Sequence, residues 1–81
     1  MGLDVNTIAV IKALDEAVGR SVSYTEIRFM YLYHGGERRR LAERLEAVVA
    51  QYPNCVAWDM RVGSDRRLET WVRVDKVIGP V

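Results

Sequence analysis

The spacing of apolar residues changes once along this chain, and that change sets the fold class. Up to Tyr52 the apolar positions recur every three or four residues, as on one face of a helix. From Cys55 onward they alternate, which places every second side chain on the same face of a strand. Helices followed by a strand pair, within a chain of 81 residues, leave room for one core. A chain this short buries only about 60% of its unfolded surface, so almost every periodic apolar residue is required for that core. The expected class is therefore α+β, a single domain over residues 1–81.

Val5, Ile8, Ile11, Leu14 and Val18 predict a first helix over residues 5–18, capped by Asp4 or Asn6 and ended by a left-handed Gly19. Ser23-Tyr24-Thr25-Glu26 is a capping box, in which hydroxyl and carboxylate satisfy each other's backbone amides, with Val22 and Ile27 placed as a hydrophobic staple. It starts a second helix, residues 24–34, that ends at Gly35-Gly36. Ile27, Met30, Tyr31 and His34 share one face. Phe29, Leu32 and Tyr33 make the helix apolar nearly all round, as a helix wedged between neighbours would be. Leu41, Leu45, Val48, Val49 and Tyr52 mark a third helix over 37–51, ended before Pro53. The short link between the second and third helices suits a helix-turn-helix crossing.

Residues 55–75 read as a hairpin around Gly63-Ser64-Asp65-Arg66-Arg67. Opposing Val62 to Leu68 sets Met60 against Thr70, Trp58 against Val72 and Val56 against Val74, giving one apolar face and assigning Trp58 to the core. The same register sets Arg61 opposite Glu69, a favourable pair, and a one-residue slip would bury charges. The tail, residues 76–81, carries Val77, Ile78 and Val81 around Gly79-Pro80, suited to docking on the core or on another copy.

The order helix, helix, helix, ribbon resembles the winged helix-turn-helix family over about residues 5–75. The likeness rests on Gly19-Arg20-Ser21-Val22-Ser23-Tyr24-Thr25-Glu26-Ile27, where Ser21-Val22 matches a short strand found in many members, and on the arginine-bearing third helix followed by an aromatic-rich ribbon. It implies a recognition helix in the major groove of duplex DNA and a hairpin wing on the backbone or minor groove. Carried over, Arg38, Arg39, Arg40 and Arg44 face the groove and Arg66 and Arg67 contact phosphate from the wing. A Gly-Gly turn followed at once by Glu37 and three arginines departs from the usual polar start of that helix.

Charge bears on this reading in two ways. Twelve Lys and Arg against eleven Asp and Glu give a net charge of +1, which excludes a bulk polycation and confines nucleic-acid binding to local clusters. Arginine forks match guanine edges and phosphates. In the competing reading, Arg39 and Arg40 are spaced to pair with Glu43, and the arginines belong to a solvated, internally paired helix face. Trp71 falls on the face opposite Trp58 and carries two readings. It stacks on a base or anchors a protein partner, or it packs on the stems of Arg61 and Arg73 or on the tail. Tyr24, Tyr31 and Tyr33 are expected to pack between helices with their hydroxyls reaching solvent.

His34 is the one histidine and Cys55 the one cysteine, with no third group to orient them, and neither a phosphate loop nor a metal spacing occurs. His34 is expected to cap the end of the second helix, and Asp15-Glu16 to form the solvated side of the first. The expectation is a non-enzymatic, cytoplasmic, cofactor-free DNA-binding protein, a small transcriptional regulator. It is expected to dimerise through the first helix or the tail at Val77–Val81, because one such module offers DNA only about 600–1,000 Å². The alternative is a winged-helix protein-interaction module that uses Phe29, Leu32, Tyr33 or Trp71.

Overall fold

Side-chain caps fix where the first two helices begin. A computed structural model describes residues 4–79, in the order α1 (Val5–Asp15), β1 (Arg20–Ser23), α2 (Tyr24–Tyr33), a 3-10 turn (Arg38–Arg40), α3 (Leu41–Gln51), β2 (Val56–Trp58), β3 (Arg61–Val62), β4 (Leu68–Glu69) and β5 (Trp71–Val74). The fold is α+β: three helices with a small antiparallel sheet and a C-terminal hairpin, compatible with a winged helix.

Asp4 caps α1 by accepting from the Thr7 amide at 2.7 Å. The helix stops at Asp15, three residues short of the expected end, because the chain turns at 16–19 to enter the sheet. Gly19, at φ +89°, donates its N–H to the Val74 carbonyl at 2.8 Å, and β1 starts with the next residue. The Ser21-Val22 strand is present. Half of the capping box forms: the Ser23 hydroxyl accepts from the Glu26 amide, while the Glu26 carboxylate turns to the Arg20 guanidinium at 2.6 Å. Gly35, at φ +87°, then ends α2.

The third helix begins later than its apolar pattern predicts. Glu37 is extended and Arg38–Arg40 form a 3-10 turn, so α-helical geometry starts at Leu41. The cause is a buried polar junction. Asn6, 4% exposed, accepts the Glu37 amide on Oδ1 at 2.8 Å, and the hydroxyl of the fully buried Tyr31 donates to the Glu37 carbonyl at 2.6 Å. The Glu37 carbonyl also accepts the Arg40 amide at 2.9 Å, so with both backbone groups held Glu37 stands as the residue that opens the 3-10 turn. The Tyr31 hydroxyl, expected to reach solvent, lies inside. Burial, and then the charge of Glu37, pushes its pKa up.

The sheet has the order β1-β5-β2, with Val22 and Trp58 both registered on Val72 and Val56 on Val74. β3 and β4 continue the hairpin with Val62 opposite Leu68 and Arg61 opposite Glu69, the register read from the alternation. Thr70 lies between β4 and β5, and its carbonyl, on the β1 side of the strand, accepts the first amide of α2, from Tyr24, at 2.9 Å.

One core holds Ile11, Leu14, Val22, Ile27, Tyr31, Leu41, Leu45, Val48, Val56, Val72 and Val74. Two expectations about it fail. The apolar side of the hairpin is core only at Val56, Val72 and Val74; Trp58 is 42% exposed, because the hairpin runs out past the helical layer. Helix α2 is not wedged between neighbours: α1 packs against both α2 and α3, so α2 buries Ile27 and Tyr31 and leaves Phe29, Leu32 and Tyr33 exposed.

Asp15, expected on a solvated face, accepts the amides of Ile78 and Gly79 at 2.7 and 2.9 Å and draws the tail onto the core. Pro80 and Val81 of the expected docking tail lie outside the described residues. His34 does not cap carbonyls with its ring; Nε2 sits 2.7 Å from a Glu16 carboxylate oxygen and links the ends of α2 and α1.

Candidate nucleic-acid interface

The exposed face of α3 follows from what its buried face must be. With Leu41, Leu45, Val48 and Val49 turned inward, helical geometry turns Ala42, Glu43, Glu46, Ala47 and Ala50 outward. The body of the helix therefore presents small residues and carboxylates, and the cations collect in the turn that precedes it. Arg38, Arg39 and Arg40 are all exposed on that turn. Glu37, which opens the turn, is held from beneath by Asn6 and Tyr31, so three exposed side chains stand on a fixed base.

The expected set of arginines divides by what each one touches. Arg44 is the least exposed of the four: its side chain, 29% exposed, lies 2.7 Å from Asp4 and 3.1 Å from Glu43. It braces the start of α1 against α3. The Thr7 amide first and Arg44 second hold the Asp4 carboxyl at a pKa of about 2, and the bond to Asp4 raises that of Arg44. Arg40 pairs with Glu43 at 2.9 Å, as its i,i+3 spacing predicts. Arg39 takes Glu37 at 3.4 Å in place of Glu43. Arg38 enters no ion pair among the described residues. Exposed pairs of this kind contribute little, and a phosphate competes for them readily.

At the hairpin tip, the Gly63 amide donates to the Arg67 carbonyl and the Arg66 amide to the Gly63 carbonyl, at 2.8 and 2.9 Å. Arg66 takes φ +65° to close this turn. Arg67 is 3.8 Å from Asp65 with its side chain 87% exposed, and Arg66 has no ion pair among the described residues.

No family model, curated protein or solved structure matches this chain. The site therefore rests on its own geometry.

Trp71 is half-buried, with the Arg61 guanidinium 4.2 Å from its ring centroid and its indole N–H donating to Glu69 at 3.0 Å. The guanidinium rather than the stem of Arg61 covers the ring, and Arg73 turns to Asp75. A cleft of about 400 Å³ lies beside it, lined by Ser23, Tyr24, Thr25, Glu69, Thr70 and Trp71, and shares no residue with the arginine turn. A second, apolar groove of about 300 Å³ is formed by Phe29, Leu32 and Tyr33, the proposed partner contacts on α2. Among the described residues no group of three or more His, Cys, Asp or Glu is arranged to hold a metal, and no helix is long and apolar enough to cross a membrane.

Sequence reasoning missed Asn6 and Tyr31 as supports of the arginine turn and Asp4 as the partner of Arg44. Asn6 carried a faint signal, being a polar residue in the first turn of an apolar helix stripe. Its partner, 31 positions away, is not visible in any local pattern.

Proposed function

We propose that this chain binds duplex DNA without catalysing a reaction, as a small transcriptional regulator. The Arg38–Arg40 turn and the start of α3 enter the major groove, and Arg66 and Arg67 at the hairpin tip contact the backbone or minor groove. The observation that supports this reading most is the arginine turn. Residues 37–40 carry three arginines against Glu37, a local charge of +2 where the whole chain has +1. They stand at the N-terminal end of the helix that, in helix-turn-helix proteins, reads base edges from that end. Arg44 is not part of the contact; it holds α3 in place through Asp4.

Fluorescence anisotropy with mixed-sequence duplex DNA at several salt concentrations tests this. Binding weakens steeply with salt, and replacing Arg38, Arg39 and Arg40 with Ala lowers the salt slope by about one per lost phosphate contact. Absence of binding at low salt sinks the reading.

A second reading, a protein-interaction module, is favoured by the α2 groove, where Phe29 is 79% and Tyr33 83% exposed. Large exposed apolar patches mark interaction sites. Such binding is insensitive to the three arginine substitutions and is lost on Phe29→Ser with Tyr33→Ser.

A further inference from the structure

Beyond Val72 the hairpin carries an apolar strip that, among the described residues, no other part of the chain covers. Trp58, Met60 and Val62 lie at alternate positions of one strand, and Leu68 is directly opposite Val62, so all four face the same side. They are 42%, 46%, 71% and 67% exposed. The opposite side of the same hairpin holds its charges in internal contacts: Asp59 accepts from Ser21 and Arg61, Arg61 covers Trp71, and Trp71 donates to Glu69. In a solvated ribbon the apolar side would be the covered one. Here that side is bare and the charged side is complete.

From this we infer that the strip is the contact surface for a second copy of this chain, in a two-fold dimer joined hairpin to hairpin. Charge favours this occupant. Residues 58–72 hold Asp59, Asp65 and Glu69 against Arg61, Arg66 and Arg67, so two hairpins meet with no net repulsion, and no charged side chain lies within the strip to be desolvated. The arginine turn, at +2, repels its own copy and stays free.

Area sets the strength. Four side chains at these exposures offer roughly 400–500 Å² per copy, and two such faces bury on the order of 1,000 Å², the lower end of a specific interface. The association is therefore reversible, with a dissociation constant in the micromolar range. It leaves Arg66 and Arg67 at the rim. It does not depend on DNA binding.

Sedimentation velocity on the full chain without DNA, from about 1 to 200 µM, tests the inference. The expected result is a concentration-dependent monomer–dimer equilibrium that is insensitive to salt. The double substitution Val62→Glu with Leu68→Lys places charges on the two most exposed positions of the strip but keeps a favourable cross-strand pair, so the hairpin still forms. It weakens dimerisation about 100-fold or more with an unchanged circular dichroism spectrum and melting midpoint. The triple Arg38, Arg39, Arg40 to Ala variant keeps the dimer whether or not the protein binds DNA. A monomer at 200 µM overturns the inference. So does a dimer that survives the hairpin substitution and is lost instead on Phe29→Ser with Tyr33→Ser.

Discussion

At Glu37 the chain buries polar atoms so that charged side chains stand outside, whereas along the outer hairpin it pairs its charges and leaves apolar side chains bare. The first region is complete in itself. No buried side-chain nitrogen or oxygen of the described residues lacks a partner, and the Asn6–Tyr31–Glu37 junction accounts for the polar atoms beneath the arginines. The second region leaves Trp58, Met60, Val62 and Leu68 exposed. The difference predicts that a substitution in the junction is felt as folding stability, and that one on the strip is felt as association.

The largest effect on this comparison comes from Gly36. An added Cβ there overlaps the ring of Tyr31, and Tyr31 is fully buried and cannot step aside. Gly36→Ala is expected to destabilise by about 1–3 kcal/mol or more, measured by urea unfolding, and to loosen the arginine turn. Its neighbour Gly35 gives the internal contrast: a Cβ there meets nothing, and only its φ of +87° resists substitution, costing about 1 kcal/mol.

Next is Asn6→Ala, which leaves the Glu37 amide without its acceptor; about 1–3 kcal/mol is expected. Tyr31→Phe costs less, about 1 kcal/mol, because only the hydroxyl is removed from a ring that still fills its place. That hydroxyl has one proton, and the 2.6 Å contact to the Glu37 carbonyl takes it in preference to the 3.2 Å contact to Asn6.

A smaller effect is read by pH. The carboxyl of Asp4 is held at about 2, below its usual value near 4, so in that window the unfolded chain binds more protons than the folded one. Its contribution is present above pH ~4 and is lost as the pH falls through about 2. Asp4→Asn flattens the dependence of the melting midpoint on pH between ~4 and ~2. At the bottom of the scale stands the hairpin substitution of Val62 and Leu68, which changes association while the melting midpoint stays where it was.

Much of the fold was legible because it is local. The α2 start at Ser23, the glycine stop at Gly35, the apolar stripe of α3 and the Val62–Leu68 register each follow from neighbours in sequence or from strict alternation. The candidate site was legible only as a list of arginines. Arg38, Arg39 and Arg40 share the turn that Glu37 opens, and Arg44 is bound to Asp4, 40 residues earlier. Trp58 and the outer face of α2 were misjudged for one reason: periodicity tells which side chains share a face and not how far the covering layer reaches.

The sequence by itself determined the number of helices, the hairpin and its register, since these depend on the period of apolar residues and on caps within a few positions. Only the tertiary structure decided which of the paired faces is covered and which arginines are free. Burial and ion pairing depend on contacts between segments tens of residues apart, and no local pattern encodes where the helical layer ends.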